Sequence, residues 1–375
     1  SCRHRLGRIL RTHEAGLAQF ARQPVETAIQ GIEHDLLRFD FAQAFTQSTS
    51  GILNALNGIR APVERLPASM RFIQRDWLSC NQVVLFDDDD TATLIDSGYV
   101  KHASDTVERV RAVLDGRRLA RLINTHLHSD HCGGNAAIAE AFGCPILVPQ
   151  AEYPAAHAWD EDALTFRATG QRCPRFAVAG QVAPGERLTM GGLRWQALAA
   201  PGHHPHSLIF HCAEARLLIS ADALWRNGFG VIFPELSGQS GFDEQQAVLD
   251  LIRGLPVDRV LPGHGPVFND VAAALAIADG RLAAMRGDAR RNARNAIKVL
   301  VKFLLLDRER MPRSALTSLA GSARVLTDAA ARVGLPGPEA LDRAIDELAA
   351  QGQVRIEDGW VVDTTPQAAA SGSAG

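Results

Sequence analysis

Four side chains able to ligate a cation fall within six positions. They are His126, His128, Asp130 and His131, in the run Thr125-His126-Leu127-His128-Ser129-Asp130-His131-Cys132-Gly133-Gly134-Asn135. The run follows a predicted strand over Leu119 to Ile123, and a loop at a strand end can turn all four toward one point. Alternation puts His126 and His128 on one side, suited to grip one ion, while Asp130 and His131 address a neighbouring position. Imidazole nitrogen with carboxylate oxygen is the donor set that borderline cations such as Zn²⁺ prefer. A single histidine is usually structural; four clustered donors at HxHxDH spacing are hard to explain that way. Gly133 and Gly134 are expected to let the backbone turn tightly into the next helix.

Further donors stand beyond predicted strands: His203 in Pro201-Gly202-His203, Asp222 in Ser220-Ala221-Asp222-Ala223-Leu224, and His264 in Leu261-Pro262-Gly263-His264-Gly265-Pro266. An earlier carboxylate, Asp96, lies in Ile95-Asp96-Ser97-Gly98. With the HxHxDH run, and in this order, these segments resemble the metallo-β-lactamase superfamily over roughly residues 70–270.

The resemblance implies an α/β (α+β) fold, the four-layer αββα sandwich of that family. It implies a hydrolase with two divalent metal ions, Zn²⁺ first and otherwise Mn²⁺, Fe²⁺ or Co²⁺, and a water bridged between them as nucleophile. One ion would take His126, His128 and His203, and the other Asp130, His131 and His264. Asp222 would bridge both, Asp130 would also orient the attacking water, and Asp96 would support the site from behind the ligands. Three protein ligands and a shared water leave the open position that catalysis requires. Ions about 3.5–4 Å apart lower the pKa of that water toward 7. One departure stands out. The family commonly continues the third-histidine motif with a threonine or small residue and then glycine, whereas this chain reads His203-His204-Pro205-His206-Ser207. The preceding Pro-Gly assigns the ligand role to His203; His204 or His206 could substitute or shape the pocket.

The segment Trp225-Arg226-Asn227-Gly228-Phe229-Gly230-Val231-Ile232-Phe233 follows the bridging aspartate. Trp225 and Phe229 are candidates for touching substrate, with core packing as the plain alternative. Cys132 reads as a small buried residue rather than a nucleophile, because no acid–base partner is implied beyond the histidines. His157 and His211 lack a ligand-like context. The expected substrate is a small molecule with an ester, lactone, thioester or related bond, with β-lactams and phosphoesters as side substrates. A metal-dependent ribonuclease and an iron-dependent protein handling oxygen or sulfur are the alternatives. Arg286, Arg290, Arg291, Arg294 and Lys298 form a basic stretch expected on one helix. Charged helical runs are usually solvated faces, so nucleic acid is not the expected partner.

Alternating elements must position these residues. Val83 to Phe86 and Thr91 to Ile95 read as strands joined by a solvated turn at Asp87-Asp88-Asp89-Asp90, which lacks the spacing of a calcium loop. A helix through Val107, Val110, Val113 and Leu114, a helix Ala136 to Phe142 and a strand Pro145 to Val148 follow. Strands are expected at Leu193 to Leu198, Ser207 to His211, Leu217 to Ser220 and Arg259 to Leu261, with a helix capped by Asp243 and ending near Gly254. Such alternation means a mixed, layered α/β domain. The division expected is a helical N-terminal extension (1–62), the catalytic domain (63–280), a helical, winged-helix-like domain (281–363) and an Ala/Gly/Ser-rich tail (364–375). The last fold element would be a hairpin turning at Asp358-Gly359.

The chain has 375 residues, 46% of them hydrophobic, enough for a sizeable core, and a net charge of −3 that favours neither nucleic acid nor an acidic membrane. No apolar run reaches the roughly 18 residues of a membrane span. The six cysteines form no CxxC pair, and no signal segment is evident, so a cytoplasmic location with reduced thiols is expected. The N-terminal helices are the candidate contact for a homo-oligomer.

Overall fold

The computed structural model describes residues 66–365. The extension expected over residues 1–62, with the oligomer contact assigned to it, and the tail beyond residue 365 lie outside the described residues. The chain divides at Ala61/Pro62, and the described residues belong to the second unit.

Two sheets form the body of the fold. The first holds β1 (Met70–Ile73), β2 (Gln82–Phe86), β3 (Thr91–Ile95), β4 (Arg118–Ile123), β5 (Ile146–Pro149) and β6 (Gly180–Val182), side by side in that order. From β3 to β6 the neighbours run parallel, and the first three strands are antiparallel. The second sheet is ordered β11-β10-β9-β8-β7, from β7 (Arg187–Met190), β8 (Leu193–Ala199), β9 (Leu208–Cys212), β10 (Leu217–Ala221) and β11 (Arg259–Pro262), with only β10 and β11 parallel.

The period-2 alternation of strands explains the layering. On β2, Val83 and Leu85 join a core shared with Trp195, Phe210, Leu217 and Ile219 of the second sheet, while Val84 faces the other way. That outer face is covered by Val110, Leu114 and Ile138 from the helices Ala103–Leu114 and Asn135–Phe142. On the second sheet, Ile209, Leu218 and Val260 face Val248, Leu249 and Ile252 of the helix Phe242–Gly254 and Leu275, Ala278 and Leu282 of the helix Val271–Gly287. Helix, sheet, sheet and helix make the four-layer αββα arrangement. The Asp87–Asp90 run is the β2–β3 turn, where Asp88 Oδ1 accepts from the backbone N–H groups of Asp90 and Thr91.

Asp243 does not cap its helix. The helix begins at Phe242 after Gly241, and Asp243 lies in the first turn, paired with Arg286. The boundary expected after residue 280 falls inside the helix Val271–Gly287, whose Leu282 and Met285 still belong to the core beneath the second sheet. The break comes at Asp288-Ala289, before the helix Arg290–Arg308. Arg286 therefore sits on a different helix from the rest of the basic stretch. Of its companions, Arg290 and Arg294 pair with Asp288, and Lys298 pairs with Glu347.

The C-terminal part follows as β12 (Arg310–Pro312), helices Arg313–Ser318, Arg324–Val333 and Gly337–Ala350, and the hairpin β13 (Val354–Glu357) and β14 (Trp360–Asp363). Its sheet is ordered β12-β14-β13, and Asp358 and Gly359 both take positive φ at the tight turn. Its core includes Leu300, Leu304, Leu326, Leu341 and Ile345, and it takes in Val231 and Leu236 from the loop after β10. Helix, strand, helices and hairpin are the elements of a winged-helix-like unit, our proposed grouping for these residues. Among the described residues no helix is long and apolar enough to cross a membrane.

Candidate metal centre

Strand ends deliver the donors. Asp96 follows β3, His126 to His131 follow β4, His203 follows β8, Asp222 follows β10 and His264 follows β11. Parallel pairing of β3 with β4 and of β10 with β11 puts those carboxyl ends on one edge of the sandwich. Asn81, just before β2, ties the two sheets together there. Its backbone N–H donates to Gly263 O at 2.7 Å, and its side-chain Nδ2 donates to Pro262 O and Gly265 O at 2.9 and 2.8 Å, bracketing His264.

The seven predicted donors meet in two adjoining groups. His126, His128 and His203 form one; Asp130, His131, Asp222 and His264 form the other; within each group the ligating atoms lie inside 4.8 Å of one another. Asp222 stands between them. Its Oδ2 is 3.4 Å from His203 Nε2, and its Oδ1 is 3.4 Å from His131 Nε2 and 3.8 Å from His264 Nε2. All seven are buried except Asp130, which is partly exposed.

Hydrogen bonds fix which nitrogens offer lone pairs. The carboxylate of Asp96 can only accept, so His131 Nδ1 donates to it at 2.9 Å. His131 Nε2 is then the ring nitrogen left for a cation; it is buried and has no hydrogen-bond partner. In the same way His203 Nδ1 donates to Val231 O at 2.6 Å, and its Nε2 points at His128 Nδ1, 2.8 Å away. Ring nitrogens converging in a buried site, one of them an orphan facing Asp222, are what a pair of cations would satisfy, so the residues present fit them.

The electrostatics differ between the two halves. Burial, then the charges of neighbouring histidines, hold His126 and His128 well below the usual histidine range, keeping both neutral. Burial also lowers His203. At His131 burial is opposed and outweighed by Cys80, Asp222, Asp96 and Asp130, which hold it well above the usual range. Asp222, despite burial, is held well below the carboxylate range by His131, His264 and His203. The carboxylate-rich half thus draws positive charge. Cys80 forms a third grouping with Asp96 and His131. Asp96 is already engaged by Thr125 N, Thr125 Oγ1 and His131, and burial pushes the Cys80 thiol up to about 11. This grouping backs His131 rather than making a third cation site.

A model of the metallo-β-lactamase superfamily matches residues 75–264, just over half of the chain. The chain belongs to the metallo-β-lactamase superfamily. It is a metal-dependent hydrolase of a family that uses dinuclear metal sites, and its His/Asp cluster could hold such ions. Among curated proteins it is similar to the hydroxyacylglutathione hydrolase of Synechococcus sp. (strain JA-3-3Ab), 28% identical over 56% of this chain and 73% of that protein. It is similar to those of Idiomarina loihiensis, 27% identical over 48% of this chain and 56% of that protein, and Rhodospirillum rubrum, 29% identical over 46% and 59%. It therefore spans between about half and three quarters of the length of these relatives. Among solved structures, the BLEG-1 B3 metallo-β-lactamase is 23% identical with TM-score 0.43, covering 55% of this chain and 96% of that one.

The other site residues of this superfamily member divide. Trp225 is half-buried beside the donors; its indole N–H donates to Asp222 Oδ1 at 3.2 Å, and its ring meets His264 edge-on. Phe229 does not line the site. It is fully buried in the core under the second sheet, its face covered by Arg281, because four residues further on Phe233 takes the place against the site. Phe233 packs edge-on to His128 and His203 at 5.0 and 5.5 Å. His204 is buried against His126 and His128 with Nε2 3.6 Å from the buried Glu152, outside both donor groups, and His206 is exposed. Cys132 is buried, its sulfur 3.7 Å from Cys173. Gly133 and Gly134 take ordinary helical φ; their smallness admits close backbone, since a Cβ on Gly134 would run into the Ser97 carbonyl. Trp77, Asn81, Glu152 and Asn292 escaped the sequence reading, because each reaches the site from a distant segment with no motif around it.

Proposed function

We propose that His126, His128 and His203 hold one divalent ion, that Asp130, His131 and His264 hold a second, and that Asp222 bridges them, for hydrolysis of a small thioester or related ester. The observation that carries this reading is the place of Asp222, whose two oxygens face the two donor groups separately. When bound, two such ions lower the pKa of a water between them and stabilise negative charge developing on the attacked group. Zinc suits this donor set best.

The chain's own residues do the rest. Asp96 keeps the His131 proton on Nδ1, leaving Nε2 free to ligate. Asp130 Oδ2 lies 3.1 Å from His264 Nε2, so the two donors stand side by side, and the partial exposure of Asp130 leaves it open to the water it would orient. Trp225 steadies Asp222 through its indole N–H. Phe233 packs on His128 and His203, and Trp77 and Trp225 pack on His264, so aromatic rings flank both donor groups. A thioester is favoured within the hydrolase class because the relatives are named for an acyl group carried on glutathione.

Metal analysis of the purified protein, followed by turnover of hydroxyacyl-glutathione, other thioesters, lactones, a β-lactam, phosphodiesters and RNA, tests the reading. Two ions per chain and chelator-sensitive thioester cleavage are expected. His126→Ala should lower that activity by orders of magnitude while circular dichroism stays unchanged. Near-normal turnover and metal content in His126→Ala would refute the ligand assignment, and preference for RNA would refute the substrate class.

A further inference from the structure

Asn292 lies in the first turn of the helix Arg290–Arg308, beyond the segment the family model matches, and is buried. Both ends of its amide are used on one loop residue. Oδ1 accepts from Ile232 N–H at 3.2 Å and Nδ2 donates to Ile232 O at 2.8 Å. The Ile232 N–H and the Val231 C=O belong to a single planar peptide unit. That carbonyl is the one His203 Nδ1 donates to, at 2.6 Å. An unbroken relay therefore runs from Asn292 Oδ1 through the Val231–Ile232 peptide to the His203 ring. Next to it, Phe233 N–H donates to His203 O at 3.3 Å, and Gly230 gives the ring its floor.

We propose that Asn292 is a positioning residue for His203: by clamping the Val231–Ile232 peptide it sets the proton on His203 Nδ1 and aims Nε2 at the cation shared with His126 and His128. This rests on the reading of His203 as a ligand given above. Peptide orientation decides the outcome. Turned over, the peptide would present an N–H to His203, which would move the imidazole proton to Nε2 and block ligation. Asn292 makes both rotations of the loop costly, since a buried amide loses its partners if Ile232 turns. Hydrogen bonds in series through one peptide also polarise each other, strengthening the carbonyl as an acceptor. The relay gives the C-terminal helix a direct hold on the metal centre.

The experiment uses the full-length zinc-loaded protein, with chelator competition to resolve its two metal equivalents and the absorption of the cobalt-substituted form as a second readout. Asn292→Ala is expected to weaken one equivalent about 10–100-fold, as loss of an outer hydrogen-bond partner typically does, and to leave the other unchanged. Asn292→Gln, which retains both an oxygen for the Ile232 N–H and an N–H for Ile232 O, should recover most of that affinity, while Asn292→Asp, which sets a second carboxylate oxygen against the Ile232 carbonyl, should not. Leu300→Ala, in the buried face of the same helix, should lower Tm while both equivalents stay tight. Unchanged affinities in Asn292→Ala, or an equal loss in Leu300→Ala, would overturn the relay. If Asn292→Ala does not fold, equal affinities in the Gln and Asp variants would overturn it. His203→Ala separates the two levels: if it keeps both equivalents, the ligand assignment itself has failed.

Discussion

Trp77 lies flat against His264, with ring centroids 5.3 Å apart and planes 8° from parallel, while Trp225 meets the same imidazole edge-on at 5.3 Å. His264 Nδ1 is buried with no hydrogen-bond partner, so the ring lacks the outer polar contact that Asp96 gives His131. Packing against the two indoles and the clamp by Asn81 are what orient it.

Trp77→Ala should therefore loosen the donor group of Asp130, His131 and His264. Aromatic pairs contribute about 0.5–1.5 kcal/mol beyond area burial, which corresponds to a weakening of roughly 2–10-fold. Chelator competition should show this in one metal equivalent, with the one on His126, His128 and His203 unchanged. Equal weakening of both would mean that Trp77 acts on the fold and not on His264.

Asp96 offers a sharper test of an outer partner. It takes positive φ, 58°, which asparagine tolerates as well as aspartate does. Asp96→Asn thus changes charge and acceptor capacity with little backbone strain. It should leave folding intact and lower metal affinity or activity about 10–100-fold. The control is Asp89→Asn in the exposed β2–β3 turn, which should leave both unchanged. A normal metal affinity in Asp96→Asn would show that His131 needs no anionic partner.

What could be read from the sequence, and what could not, follows from the range of the forces involved. The Leu119–Ile123 run before Thr125, and the later strand–loop junctions, carry local signals: apolar strand residues, then donors, with Gly close by. The two glycines after His131 were visible, but their reason was not, because the Ser97 carbonyl they admit comes from another strand end. Phe229 and Phe233 are both aromatic residues in a segment without periodicity, and only the C-terminal core that captures Val231 and Leu236 decides which one faces the site. Gly280 resembles a helix stop, yet the helix passes through it because Leu282 and Met285 still have the second sheet's core to bury against. Trp77, Asn81 and Asn292 act through contacts that only tertiary structure creates.

Tyr99 supplies a pH prediction away from the donors. It is buried against Leu78 and Phe303, its hydroxyl 3.3 Å from Asp307 Oδ2. Burial, then the charge of Asp307, push its phenol up to about 12 from an ordinary value near 10. The folded state thus holds this proton when the unfolded chain has begun to release it. The stabilisation is fully present below about pH 10 and is lost as pH rises through about 12. The chain has two tyrosines, Tyr99 and Tyr153, so phenolate absorbance can separate them. A high-pH step that disappears in Tyr99→Phe is expected; ionisation of Tyr99 near pH 10 in the folded protein would contradict it.

Gly230 tests how closely His203 must be held. The glycine has an ordinary backbone conformation, outside the positive-φ region, so alanine adds no backbone strain. Its Cβ would, however, fall inside contact distance of His203 Nδ1, Cε1 and Cγ. The ring cannot retreat, because its Nδ1 is tied to Val231 O and its far side faces His128 and Asp222. Gly230→Ala must therefore either tilt the imidazole or push back the loop that Asn292 clamps. A displacement of about 1 Å at a catalytic centre can cost roughly 100-fold in rate, and a loss of that order is expected here, together with weaker binding of one metal equivalent. Gly254→Ala, at a helix end where the new methyl meets nothing within 4 Å, should leave activity unchanged. Were Gly230→Ala to retain full activity with both equivalents tight, His203 would have more room than its packing implies, and its place as a ligand would have to be reconsidered.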